Sequence, residues 1–480
     1  MHKIEQIYTG CLAQGAYYIE SEGEAAVIDP LREVQPYLDR AEKSGVKIKY
    51  VFETHFHADF VSGHLDLSEK TGAPIVYGPN AQTGFESYTA KDGEVFQLGK
   101  VRIKVLHTPG HTMESTSYLL LDENGKETAL FSGDTLFIGD VGRPDLAQKS
   151  DLTINDLAGY LYDSLRNKIM TLPDEVIVYP AHGAGSACGK NMSKETTSTI
   201  GLQKAQNYAL RADMSKEQFI YEVTDGLTAP PQYFPLNVKM NKQGYESFDT
   251  VMNRAAQALT PAGFEEAANA TGATLLDVRT AQEFAKGFIP NSINIGLDGQ
   301  FAPWVGALLM DVAQPVLLIA PKGQEEESIT RLSRVGFDQV IGYLKGGFEA
   351  WENAGNEVDQ IVSITASELA EKVAELGVEH VLDARRPGEY AAEHAKDVGS
   401  FPLDYLNDFV GELDKNETYF IHCAGGYRSM IMASILKARG FENVVDVAGG
   451  FKAMKDSGLF ETTDYVCPNS LRRQGVKEVA

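Results

Sequence analysis

Four cysteines in 480 residues, Cys11, Cys188, Cys423 and Cys467, are too few and too scattered for a disulfide framework. Their scarcity suits a reducing compartment, in which thiols stay free for metal or sulfur chemistry. Basic residues are also in short supply: 43 Lys and Arg against 67 Asp and Glu leave a net charge of −24. A surface of that sign repels phosphate, so neither nucleic acid nor an anionic membrane is an expected partner, although a local positive pocket can still hold a small anion. Long apolar runs are missing too. No uninterrupted stretch approaches the roughly 18 residues of a membrane span, and Met1-His2-Lys3-Ile4-Glu5-Gln6-Ile7 has no apolar core behind a basic start. The expected location is the cytoplasm. The length exceeds one hydrophobic core and suggests some three domains at about 150 residues each.

Histidine is concentrated where it counts. Thr54-His55-Phe56-His57-Ala58-Asp59-Phe60 follows Ile48-Lys49-Tyr50-Val51-Phe52, an apolar, β-branched and aromatic run that reads as a strand. Three more polar clusters each follow a predicted strand: His107-Thr108-Pro109-Gly110-His111-Thr112, Phe131-Ser132-Gly133-Asp134-Thr135 and Tyr179-Pro180-Ala181-His182-Gly183. A lone His is usually a satisfied core or surface residue. Four such loops at strand ends point instead to one convergent site, at the sheet edge where layered α/β folds place their chemistry.

This order of motifs resembles the metallo-β-lactamase superfamily, with its H-x-H-x-D-H signature and later His, Asp and His loops, over roughly residues 1 to 258. In the dinuclear hydrolases of that superfamily, such as glyoxalase II, the last His of the signature holds the second metal; here that position is Phe60, which has no lone pair to donate. The remainder is similar to the mononuclear persulfide dioxygenases. The resemblance implies an αββα sandwich and an Fe(II) ion on His55, His111 and Asp134, with open positions for dioxygen and substrate. Zinc accepts the same donors. His57, Asp59 and His182 then orient ligands and substrate. Gly142-Arg143-Pro144-Asp145 is similar to the Gly-Arg-x-Asp segment of those dioxygenases, making Arg143 a candidate anchor for an anionic persulfide. An Arg-Asp pair closing a turn is the plainer reading. Cys188, in a glycine-rich loop after His182, is a candidate redox thiol or an ordinary packing residue.

Farther along, Gly15 to Glu20 and Ala25 to Pro30 read as a hairpin-like pair of strands, and residues 201 to 223 read as one helix. Pro230, Pro231 and Pro235 preclude a continuous helix over residues 225 to 242. The second half repeats itself. Leu275-Leu276-Asp277-Val278-Arg279 with Glu283-Phe284 recurs as Val381-Leu382-Asp383-Ala384-Arg385 with Glu389-Tyr390, and Gly346-Gly347-Phe348 recurs as Gly449-Gly450-Phe451. Each module alternates short strands with helices, so each is expected to be a small parallel-sheet α/β domain.

The modules resemble rhodanese domains, which open on Asp-x-Arg and close on Gly-Gly-Phe. The second carries His422-Cys423-Ala424-Gly425-Gly426-Tyr427-Arg428-Ser429 between a strand and a helix, where backbone N–H groups and the helix N-terminus stabilise a thiolate. Cys423 is the expected sulfur acceptor, in a Cys-x4-Arg loop one residue shorter than the Cys-x5-Arg loop of Cys-dependent phosphatases. Arg428 is the expected binder of sulfite or thiosulfate, and Gly425, Gly426, Tyr427 and Ser429 complete the cradle. The first module has no cysteine; the counterpart of Cys423 falls between Ile319 and Lys322, and its loop is acidic.

The expected organisation is a dioxygenase-like domain over 1–258, a cysteine-free rhodanese domain over 262–358, an active one over 362–465 and a tail over 466–480. The expected function is oxidation of a small-thiol persulfide by O2 to sulfite, followed by Cys423-dependent sulfur transfer to sulfite, in a chain that forms homo-oligomers. The rivals are a zinc thioester hydrolase of the glyoxalase II type fused to a rhodanese, and a non-catalytic persulfide carrier or sensor.

Overall fold

The computed structural model describes residues 2–147, 152–190, 192–227, 229–309 and 311–467, so the expected tail lies, from residue 468 on, outside the described residues. The chain forms two compact units, one running to Phe248 together with Ser333–Gly336, the other comprising Asp249–Leu332 and the residues from Phe337.

The first unit is an αββα sandwich. One sheet has six strands side by side in chain order: His2–Thr9, Gln14–Ser21, Glu24–Ile28, Lys47–Phe52, Ile75–Tyr77 and Tyr88–Thr89. Its first three are antiparallel and the rest parallel. The expected hairpin is its second and third strands; the edge strand His2–Thr9, of mixed polar and apolar residues, is an addition. The facing sheet contains Val101–His107, Thr116–Leu121, Glu127–Gly133 and Ile177–Pro180. Alternation puts Tyr17, Ile19, Ile28 and Phe52 on one inner face against Ile103, Val105, Tyr118 and Phe131 on the other. Tyr18, Val27 and Val51 turn outward onto the helix Gln35–Ser44, while Leu130 and Val178 turn onto Ile154–Ser164. The strands are buried on both faces and therefore read as apolar runs.

The continuous helix expected over 201 to 223 is broken into Ile200–Gln206, a single turn at Tyr208–Leu210, and Lys216–Thr224. Asn207 turns its side-chain oxygen onto the Ala209 N–H, and Ser215 starts the last helix with a capping box to Gln218. Both side chains satisfy backbone donors locally and outcompete helix continuation. The prolines act as expected: the next helix is Phe234–Gln243, with Pro235 in its first turn.

The second unit holds two five-stranded parallel sheets of one topology. The first runs Ala258–Leu259, Val340–Leu344, Val316–Ile319, Thr274–Asp277, Ile293–Asn294; the second runs Val362–Ile364, Val444–Val447, Tyr419–His422, Val381–Asp383, Gly399–Ser400. The first sheet thus begins a few residues ahead of 262. Register aligns the modules: Asp277 pairs with Ile319, and Asp383 with His422. Ala320 is therefore the counterpart of Cys423. The closing glycines agree, because a Cβ on Gly347 would meet the Ala320 carbonyl oxygen at 3.0 Å and one on Gly450 the Cys423 carbonyl oxygen at 2.3 Å. Among the described residues no helix is long and apolar enough to cross a membrane.

Candidate metal centre and sulfur-carrying loop

Four strand-end loops of the sandwich converge as expected. The Glu127–Gly133 strand carries a register irregularity between Phe131 and Gly133, directly before Asp134. His55 Nε2 and His111 Nε2 lie 3.7 and 3.4 Å from Asp134 Oδ2. All three residues are buried, and Asp134 Oδ2 has no hydrogen-bond partner.

The opposite ring nitrogens are fixed. Thr54 Oγ1 lies 3.0 Å from His55 Nδ1 and 2.9 Å from Asp29 Oδ2, so it accepts from the imidazole and donates to the carboxylate. His111 Nδ1 donates to the Arg143 carbonyl at 2.8 Å. Each ring is left with a bare Nε2 aimed at one point, which is how metal-ligating histidines are prepared. Burial and the adjacent His57 hold the His55 pKa well below its ordinary value, so the ring is neutral and its lone pair available. Burial raises the Asp134 carboxyl, but His182, His55 and His111 more than offset this and hold it below the usual carboxylate range. Two imidazoles and one carboxylate with an orphaned oxygen fit a single metal ion with open positions. A Cβ at Gly142 would come within 1.9 Å of the Asp134 carbonyl oxygen, so the loop can close over the centre only with glycine there.

The second-metal position is differently furnished. Phe60 is fully buried, its ring centroid 4.4 Å from that of His57. His57 Nε2 lies 3.1 Å from Asp29 Oδ1 and 3.7 Å from Glu53 Oε2. His182 bridges two carboxylates, with Nδ1 2.7 Å from Asp134 Oδ1 and Nε2 2.8 Å from Asp59 Oδ2. Burial opposes the charge, but the two carboxylates raise the His182 pKa well above the ordinary value.

Arg143 is also buried, and its Nε and Nη2 grip Asp145 at 2.7 Å each while Nη1 donates to the Ala187 carbonyl. Cys188, expected on a flexible loop, is buried; burial first, then the fields of Asp59 and Asp134, push its thiol up. Two contributors had no sequence signal. Asn241 Nδ2 donates to the His57 and Phe60 carbonyls at 2.8 Å each while its Oδ1 accepts the Ser62 N–H, fixing the histidine loop from a helix far along the chain. Tyr233 is buried within the electrostatic reach of Asp59 and Cys188.

In the second module Cys423 is buried at the end of Tyr419–His422, and the Gly426 N–H donates to its Sγ at 3.1 Å. Gly426 has φ +112°, a left-handed conformation suited to glycine, and the helix Tyr427–Ala438 begins immediately after it. Gly425 is exposed beside it. Ser429 faces inward and donates to Asp446 Oδ1 at 2.8 Å, and the Tyr427 hydroxyl donates to the Gly296 carbonyl at 2.8 Å. Arg428 donates to both Glu389 oxygens, at 2.5 and 2.8 Å.

The metallo-β-lactamase superfamily matches residues 9–182, and the rhodanese-like domain matches residues 260–354 and 365–457. A probable hydroxyacylglutathione hydrolase of Schizosaccharomyces pombe is 32% identical over 33% of this chain, which spans 58% of that relative's length. A crystal structure of a metallo-β-lactamase from Staphylococcus aureus is 30% identical, with a TM-score of 0.63, covering 72% of this chain and 99% of its own. The structure of ETHE1 from Myxococcus xanthus, 30% identical, covers 50% of this chain and 98% of its own at a TM-score of 0.43.

Proposed function

We propose that this chain, which belongs to the metallo-β-lactamase superfamily and continues into two rhodanese-like modules, is a bifunctional sulfur-oxidising enzyme. Its first reaction converts a small-thiol persulfide, dioxygen and water into the free thiol and sulfite. Its second moves the outer sulfur of a persulfide onto Cys423 and from there to sulfite, giving thiosulfate.

The observation that carries the first reaction is Phe60, fully buried where a dinuclear hydrolase needs a donor. Hydrolysis of the glyoxalase II type usually relies on two metals. With one centre on His55, His111 and Asp134, a bound ferrous ion supplies the redox chemistry with dioxygen. The chain's own groups do the rest. Thr54 and the Arg143 carbonyl hold the imidazoles in the ligating tautomer. Asp59 and Asp134 keep His182 charged beside the centre, where it can hold an anionic persulfide or give up a proton. The guanidinium of Arg143, if it also anchors substrate, does so while sharing its pair with Asp145.

A zinc thioester hydrolase is the second reading, favoured by the names of the curated relatives and by the intact Asp59 and His182. The Cys423→Ser variant separates the two reactions proposed here. Persulfide-dependent oxygen uptake persists and the product shifts from thiosulfate to sulfite; undiminished thiosulfate formation beyond the uncatalysed rate contradicts the second step.

A further inference from the structure

Arg428, the basic residue of the Cys423 loop, closes its fork on Glu389 in two hydrogen bonds, and the two side chains are 15% and 40% exposed. Burial works against the Arg428 charge, but the Glu389 carboxylate more than offsets it and holds the guanidinium protonated. A guanidinium already matched bidentately to a carboxylate is poorly placed to take a second anion through the same edge.

The internal repeat locates another cation. In the cysteine-free module Thr280 caps the helix Ala281–Lys286 and Glu283 completes the capping box. The matching positions are Arg386 and Glu389, and the helix Pro387–Ala392 has no side-chain cap bond from Arg386. Arginine is a poor N-cap; what it adds is a long cation beside Glu389, the partner of Arg428. The strand before it ends at Asp383, paired with His422, and the Ala384 N–H donates to the His422 carbonyl beside Cys423. The Arg386 N–H and Arg428 Nη1 share one oxygen, Glu389 Oε2, at 3.1 and 2.5 Å.

The Arg386 guanidinium lies 5.7 Å from the ring centroid of Trp304, a residue of the cysteine-free module that is only 4% exposed. Its side chain stays 53% exposed, with one long ion pair of 3.5 Å to Asp404. At 5.7 Å the indole attracts the cation through its face, and the hydrogen-bonding edge of the guanidinium stays available. The same module seats the loop, through the bond from the Tyr427 hydroxyl to the Gly296 carbonyl.

We infer that Arg386, positioned by Trp304 of the cysteine-free module, binds the sulfur oxyanion that accepts sulfur from Cys423. This rests on the sulfur-transfer reading above. In that step the lone pair on the sulfite sulfur attacks the outer sulfur of the Cys423 persulfide. The S–S bond breaks with its electron pair remaining on Cys423 as thiolate, the persulfide proton passes to solvent, and thiosulfate leaves. Arg386 offsets the repulsion between sulfite and the acidic groups Glu389 and Asp404. Trp304 is a positioning residue.

The test uses the full chain with Cys423 loaded as persulfide, checked by the added mass of one sulfur atom, and follows thiosulfate release against sulfite concentration. Arg386→Ala is expected to raise half-saturating sulfite by about ten- to a hundredfold, the loss of one charge-assisted hydrogen bond, with a smaller change in the saturated rate. Arg386→Lys recovers part of the loss, Trp304→Ala shifts half-saturation more than the saturated rate, and Trp304→Phe restores it. Half-saturation within about twofold of the parent in Arg386→Ala, with Cys423 still loading, overturns the inference and leaves the sulfur-transfer reading intact. If the loaded parent chain passes no sulfur to sulfite, that reading fails and the inference with it.

Discussion

Phe60 lies against His57 with ring centroids 4.4 Å apart and is fully buried, so an aromatic face occupies the place of a metal donor. Around it His57 turns to Asp29, and His182 joins Asp59 to Asp134. His57, Asp59 and His182 still bring three donors together there, and the phenyl ring of Phe60 adds none.

Phe60→His is therefore expected to raise metal content from one to two ions per chain and to lower persulfide-dependent oxygen uptake. Metal analysis of anaerobically purified variant and parent checks this. An unchanged single ion in a folded Phe60→His variant contradicts the assignment of Phe60 as the residue that limits the centre to one metal.

Thr54 touches no substrate in this account, yet it fixes the His55 tautomer through its bonds to Nδ1 and to Asp29. Thr54→Val removes the hydroxyl at nearly constant shape. Metal affinity is expected to fall by about 10- to 100-fold, as for partners behind other metal ligands, measured by competition with a chelator. Undiminished affinity would mean that the hydroxyl does not hold the ring.

Asn241 satisfies the His57 and Phe60 carbonyls and the Ser62 N–H at once. Asn241→Ala leaves three buried groups without that partner, at a cost of roughly 1 to 3 kcal/mol for each one that finds no replacement. Denaturant unfolding of the first unit should show the loss, with metal affinity falling in parallel. A normal midpoint together with normal metal loading would refute this role.

Gly299 of the cysteine-free module packs beneath Tyr427; a Cβ there would meet the ring at 2.4 Å. Gly299→Ala is expected to displace Tyr427 and slow sulfur transfer by at least tenfold, about 1.4 kcal/mol, while oxygen uptake stays at the parental level. Equal losses in both activities would indicate general misfolding instead.

Much of this architecture is legible in the chain itself. Apolar, β-branched and aromatic runs mark the sandwich strands, and His55, His111 and Asp134 fall at strand ends whose order brings them together. The internal repeat gives the two parallel-sheet modules. Register was not legible: only the pairing of Asp277 with Ile319 and of Asp383 with His422 fixes Ala320 opposite Cys423. Asn241 and Tyr233 carry no local signal because their partners lie far off in sequence. The helix expected over 201 to 223 failed at Asn207 and Ser215, where side-chain bonds to nearby backbone favour caps over propagation. The Cys-x4-Arg spacing located the loop, but the commitment of Arg428 to Glu389 depends on how two distant helix starts meet.

The most direct test of the central claim is metal analysis of the anaerobically purified protein, paired with oxygen consumption on adding a small-thiol persulfide. The account predicts about one iron per chain and oxygen uptake that depends on the persulfide and disappears in Asp134→Asn. Zinc without oxygen uptake, persisting after anaerobic reconstitution with iron, would contradict it.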